Sequence, residues 1–217
     1  MGLNMIKLIF FDLDGTLLES TGIKTDSFIE LFRDEKEGDL NQIADYVKKN
    51  PGTYRYEKFG HIYSKILGRS LDEKTKQVLS ERFSELVLDK ILKCPFVKGT
   101  EEFMEKYSHS VKLFLLSATP ANELETIIRK KDIKKYFIKT YGAPLKKAEI
   151  MIQTLKQEQV DKEGAVFVGD SMADFDEAKK AGIRFIGREL IREAFPKGTE
   201  TIKDINELDE LITNSQS

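Results

Sequence analysis

An α/β fold is predicted for this 217-residue chain, a parallel sheet carrying an all-helical insertion behind its first strand, and three observations predict it. The apolar run Ile6 to Phe11 breaks off at Asp12-Leu13-Asp14-Gly15-Thr16, as a buried strand does where it meets a turn. Between Thr21 and Leu92 the pattern is helical throughout, with no alternating stretch of strand character. From Pro95 onward helix and strand patterns alternate, the rhythm of a sheet whose parallel strands are joined by helices.

Within the helical stretch, breaks are expected at Gly38, at Asn50-Pro51-Gly52 and at Gly68. Phe59, Ile62, Tyr63 and Ile66 recur at i, i+3, i+4 and i+7 and mark one buried stripe. Ser70 followed by Glu73 has capping-box spacing, and Leu79, Phe83, Leu86 and Val87 give the helix it starts an apolar face. The insertion therefore has a small core of its own. Beyond Pro95 the sequence predicts a helix near Thr100 to Tyr107, a strand from Val111 to Leu116 and a helix started by Thr119-Pro120. A short strand near Phe137 to Tyr141, a helix from about Lys147, a strand from Ala165 to Val168, a helix from Asp174 to Ala181 and a strand from Arg184 to Ile186 follow. A last amphipathic helix is expected over Ile202 to Ile212, before a polar end.

A net charge of −2 with 33% charged residues fits a soluble protein with no bias toward nucleic acid or membrane. The first apolar run is too short and wrongly flanked for a signal peptide or membrane span, which places the chain in the cytoplasm. The single cysteine, Cys94, excludes an internal disulfide and is expected to be a small buried apolar side chain. His61 and His109 have no partner residues near them in sequence and are expected to be ordinary surface or packing histidines.

Two residues apart on an extended backbone, Asp12 and Asp14 are expected to point the same way, crowding two negative charges into one volume at the sheet edge. A divalent cation relieves that repulsion. Three later segments also place polar residues just beyond an apolar run: Phe114 to Thr119, Tyr141 to Lys147 and Val166 to Asp174. In an open parallel sheet the ligand crevice lies beyond the carboxyl ends of the strands, so these segments are expected to meet Asp12 and Asp14 there. Three carboxylates, the Ser117 hydroxyl and an ammonium suit phosphoryl transfer. Magnesium held by Asp12, Asp170 and the backbone carbonyl of Asp14 lets Asp12 approach a phosphate dianion. Asp12 then attacks phosphorus to give an aspartyl phosphate, Asp14 protonates the leaving alkoxide, and water activated by Asp14 resolves the intermediate.

Taken in order, FDLDGT, FLLSAT, YGAPLKK and VGDSMAD resemble the four signature motifs of the haloacid dehalogenase (HAD) superfamily, in its phosphatase branch with an α-helical (C1-type) cap, phosphoglycolate phosphatase-like. The match runs from Leu8 to Ile186. The resemblance implies a Rossmann-like core of residues 1–18 and 95–217 under a helical cap domain of residues 19–94. It also implies Asp12 as nucleophile, Asp14 as acid and base, Ser117 with Ala118 as phosphate-binding residues, Asp170 as a metal ligand, and supporting places for Thr16 and Asp174. Asp174, four residues after Asp170, is expected to hold a metal-bound water or Lys147 and not the ion itself.

Neighbours on a helix point about 100° apart, so one of Lys146 and Lys147 faces the site, and Lys147 is the choice because it follows Gly142-Ala143-Pro144 at the recurrent spacing. Arg55 and Lys58 lie three apart at the start of a helix in the insertion, either as an ordinary basic helix surface or, if the insertion closes over the phosphate site, as a pair placed to read an anionic or hydroxyl-rich leaving group. The expected activity is magnesium-dependent hydrolysis of a small phosphorylated metabolite. The alternatives are a sugar phosphomutase, against which Thr16 speaks, and a receiver-like signalling domain, whose phosphorylated aspartate lies on a middle strand of an uninterrupted fold.

Overall fold

The computed structural model describes residues 5–50, 52–190 and 194–213. Strand β1 (Leu8–Phe11) is buried from end to end and leads into four helices, α1 (Thr21–Leu31), α2 (Glu37–Lys49), α3 (Arg55–His61) and α4 (Glu73–Lys93). Then come α5 (Thr100–Tyr107), β2 (Lys112–Pro120), α6 (Ala121–Lys130), β3 (Lys139–Ala143), α7 (Lys147–Glu158), β4 (Ala165–Gly169), α8 (Met172–Ala181), β5 (Arg184–Arg188), β6 (Glu200–Ile202) and α9 (Leu208–Thr213). All pairings in the six-stranded sheet are parallel, and the order is β3-β2-β1-β4-β5-β6. The chain winds one way from β1 through β2 to β3 and the other way from β4 to β6. The switch between β1 and β4 opens a crevice at their carboxyl ends.

Side-chain alternation divides the sheet between two cores. Ile9, Phe11, Leu113, Leu115, Val166 and Val168 face α5, α6, α9 and the insertion, whereas Leu8, Phe10, Phe114, Leu116, Ala165 and Phe167 face α7 and α8. Within the insertion Phe28 of α1 stacks against Phe59 of α3 and Phe83 of α4, with ring centroids 5.6 and 4.3 Å apart. Phe59 and Ile62 of the expected stripe are fully buried and Tyr63 and Ile66 partly so, the chain widening into a π-helical turn over Ile62–Ile66.

Three local expectations are corrected. Helix α4 is capped by Asp72, whose carboxylate accepts the Thr75 N–H at 2.6 Å; a carboxylate one residue before Glu73 displaces the Ser70 hydroxyl as cap. The break placed at Gly38 falls earlier, over residues 32–36, and Gly38 lies in the first turn of α2. The tail expected as one helix splits into β6, a 3-10 turn and α9, because Ile202 is consumed in pairing with Arg188 on β5 and Asp204 caps a new turn. Pro51, in the break after α2, and the polar end beyond Thr213 lie outside the described residues. Cys94 is buried against the larger core, His61 stacks on Tyr46 and His109 is exposed. No helix among the described residues is long and apolar enough to cross a membrane.

Candidate active site

Asp12 is the first residue beyond β1, Asp170 the first beyond β4, and Lys147 opens α7 just beyond β3. The Lys147 ammonium stands 2.6 Å from Asp12 Oδ1 and 2.7 Å from Asp174 Oδ1, while Lys146 is exposed and pairs with Glu149 at 2.9 Å. Asp174 is fixed from its other side. The Ser171 hydroxyl donates to Asp174 Oδ2 at 2.6 Å and accepts the Asp174 N–H at 3.3 Å, and the Ser171 backbone N–H donates to Asp174 Oδ2 at 3.3 Å, closing a capping box that starts α8 two residues ahead of the predicted boundary. Carboxylate oxygens of Asp12, Asp170 and Asp174 all lie within 4.8 Å of one another. Thr21 donates to Asp170 at 3.3 Å.

Asp14 and Asp12 line one cavity and their charges repel there, as expected, but each has a cation of its own. Pairing within β1 ends at Phe11, so the two-residue alternation does not extend to Asp14. There the carboxylate takes the Lys24 ammonium from α1, the Ser20 hydroxyl at 2.7 Å and the Thr119 hydroxyl at 3.1 Å. Lys24 also donates to Thr119 at 2.8 Å. Burial pushes Asp12 up to about 7 against the pull of Lys147, with Asp174 and Asp14 adding to it. Burial, Asp12 and Asp174 likewise raise Asp170 well above the usual carboxylate value. Burial would raise Asp14 too, yet Lys24 and the two hydroxyls hold it below its ordinary value. Burial works against the Lys147 ammonium, but Asp12 and Asp174 together keep its pKa above that of a free lysine.

Ser117 is fully buried and accepts the Thr119 N–H at 3.1 Å. Beyond it the register with β3 slips, pairing Ser117 with Gly142 and then Pro120 with Ala143. That bulge turns Ala118 and Thr119 into the cavity, a common use of bulges beside functional sites. Thr16 is fully buried, and its hydroxyl has no hydrogen-bond partner among the described residues.

Gly15 holds the loop in a conformation with φ +82°, and a Cβ there would fall 2.0 Å from Asp170 Oδ2 and 2.3 Å from Thr21 Oγ1. Arg188 at the end of β5 braces this turn, donating to the Gly15 carbonyl at 2.8 Å and to Glu19 at 2.7 Å. Gly15→Ala is expected to lose about 2 kcal/mol or more, a melting point lower by roughly 4–8 °C or more, from left-handed strain plus displacement of Asp170. Thermal denaturation checks this, and an unchanged midpoint would show that the loop relaxes.

Arg55 and Lys58 both line the cavity, at 5% and 4% exposure, but their situations differ. Arg55 is bound across to α6, with its two terminal nitrogens 2.8 and 2.6 Å from the Glu123 carboxylate and further bonds to Ser80 and Ser84. The Lys58 ammonium stands 5.0 Å over the Phe28 ring. The cavity is small, about 50 Å³, and shares Gly52, Thr53 and Ala118 with a wider cleft of about 1010 Å³ that runs past Lys147. Sequence reading missed Lys24, Thr119, Glu123 and Arg188. Lys24 alone had a signal, as a cation on the helix that directly follows the Asp-x-Asp loop.

A family model described as haloacid dehalogenase-like hydrolase matches residues 9–188. The chain is 27% identical over 191 residues to a phosphorylated carbohydrates phosphatase of Thermotoga maritima, covering 83% of this chain and 84% of that protein. It is 27% identical over 192 residues to a phosphoglycolate phosphatase of Vibrio parahaemolyticus, covering 84% and 83% respectively. Among solved structures, the YfnB protein of Bacillus subtilis, determined with magnesium bound, superposes with a TM-score of 0.72 at 15% identity, covering 97% of this chain and all of that one (100%). With its parallel sheet and the helical insertion between β1 and β2, the chain belongs to the haloacid dehalogenase-like hydrolase family.

Proposed function

We propose that this protein is a magnesium-dependent phosphatase that hydrolyses a small phosphomonoester through an aspartyl phosphate on Asp12, with residues 19–94 acting as a cap domain over a core of residues 1–18 and 95–217. The observation that carries this reading is the division of labour at the strand ends. Asp12 shares Lys147 with Asp174 beside Asp170, while Asp14 is held apart by Lys24, Ser20 and Thr119. The names of the Thermotoga and Vibrio relatives support it.

Magnesium fits the residues present. Buried carboxylates that raise one another's pKa are those a cation would ionise, and the missing Cβ at Gly15 leaves room beside Asp170. Asp12, Asp170 and the Asp14 carbonyl would hold the ion, which when bound offsets the charge of carboxylates and phosphate. Asp174, both of whose oxygens are engaged, positions Lys147.

An Asp12 oxygen attacks phosphorus while the bond from phosphorus to the leaving oxygen breaks, and Asp14 delivers a proton to that oxygen. The incoming dianion raises the proton affinity of Asp14, which suits a group that is ionised in the free protein to carry this proton. Water then attacks the phosphorus of the aspartyl phosphate, Asp14 takes the water proton, and phosphate leaves Asp12 ionised. Lys147 and the Ser117 hydroxyl bind the phosphoryl oxygens, with the Ala118 backbone beside them, and Thr16 supports the loop that carries Asp14.

Phosphate release from a panel of small phosphomonoesters, with magnesium and with chelator, tests the reading. Release that requires magnesium is expected. Equal release with chelator, or none from any ester, would overturn it, and interconversion of two sugar phosphates without phosphate release would identify a mutase instead.

A further inference from the structure

Arg188 takes no part in the chemistry above, yet it is buried at the end of β5 with all three guanidinium nitrogens engaged. Its Nε donates to the Lys203 carbonyl beyond β6 at 3.1 Å. One terminal nitrogen donates to the Gly15 carbonyl at 2.8 Å and to Glu19 Oε2 at 3.1 Å, and the other donates to Glu19 Oε1 at 2.7 Å. A single core side chain therefore grips both ends of the loop 15–19, which leads from β1 into the insertion and is closed within by the Gly15 N–H on the Leu18 carbonyl at 2.8 Å. A planar fork of donors suits such a clamp, because it fixes several acceptors in one geometry.

Asp14 and Ser20 flank that loop and are bonded to each other, the Ser20 hydroxyl donating to the Asp14 carboxylate at 2.7 Å. Next to Ser20, the Glu19 N–H donates to the Pro95 carbonyl at 3.1 Å, where the chain returns from the insertion. The nucleophile has a different anchor. Its backbone N–H donates to the Val168 carbonyl of β4 at 2.9 Å, and Lys147 reaches it from α7. Resting on the phosphatase reading, we propose that Arg188 is a positioning residue for the acid–base step, clamping the loop 15–19 so that the Asp14 carboxyl stands where the leaving oxygen departs. Ser20, Lys24 and Thr119 aim the Asp14 side chain, and Arg188 fixes the backbone from which it projects. A misplacement of about 1 Å costs roughly 10²-fold in rate, the scale on which a positioned general acid acts.

The test compares phenyl phosphate with 2,4-dinitrophenyl phosphate on the magnesium-loaded protein, because phenolate needs a proton to depart and dinitrophenolate leaves without one. In each case kcat/KM covers the steps through departure of the leaving oxygen. In Arg188→Met, kcat/KM for phenyl phosphate is expected to fall about 10²-fold, and for the dinitrophenyl ester less than about three-fold. Glu19→Gln, at the more exposed end of the brace, is expected to shift the same ratio in the same direction by a smaller factor, and it decides the matter if Arg188→Met does not fold. Both esters are read on one preparation, so a variant that folds incompletely lowers both rates alike and leaves their ratio untouched. Equal losses on the two esters, or no loss on either, would overturn the inference while wild-type phosphate release still upholds the phosphatase reading. Absence of release by the wild type would overturn both.

Discussion

Asp12→Asn is expected to lower phosphate release by roughly 10⁴-fold or more, the scale seen when a covalent nucleophile is removed from an enzyme that uses one. An amide oxygen carries no charge to push onto phosphorus and is a weaker partner for a divalent ion. The fold should tolerate the change. Asp12, Asp14, Asp170 and Asp174 repel one another in a buried site, and neutralising one of four carboxylates removes repulsion while Lys147 keeps Asp174. The variant is therefore expected to melt at or above the wild-type temperature while losing activity. Near-normal turnover by a fully folded Asp12→Asn protein would exclude Asp12 as nucleophile, and a lowered melting point would show that its charge is needed for folding.

The second large effect separates two adjacent lysines. Lys147→Ala strips the counter-ion from two buried carboxylates, which costs about 3–5 kcal/mol in stability, and removes a donor expected to be worth roughly 10²–10³ in kcat. Lys146→Ala loses one exposed pair with Glu149 and should stay within about 0.5 kcal/mol of the wild type, with unchanged turnover. Melting curves and kcat measured side by side check both. A reversed order would assign the phosphate-binding role to Lys146.

Much of this was legible because it is written locally. The Leu8–Phe11 run, its stop at Asp12 and the Gly15 turn depend on neighbours in sequence, and so does the rhythm of strands and helices after Pro95. The rest depends on residues that meet only through the fold. Arg55 is spent on Glu123, 68 positions away, and nothing around Arg55 announces that partner. Thr119 reaches Asp14 because a bulge turns it there, and a bulge has no hydrophobic signature. Strand β6, three residues with Ile202 alone buried, carries too little pattern to be told from the start of a helix.

The central place of β1 also bears on the order in which the protein is built. Its four apolar residues are made before those of β2 and β4, yet Leu8 pairs with Lys112 on one side and Ala165 on the other. At ribosomal speeds of about 5–20 residues per second, the second edge of β1 waits roughly 8–30 s for its partner. Helices α1 to α4 emerge in that interval and can close around Phe28, Phe59 and Phe83 by local contacts, which form faster than long-range strand pairing. The nascent chain thus presents a folded helical unit tethered to a bare strand, and its exposure to aggregation and to chaperones is concentrated in Leu8–Phe11 until β4 arrives.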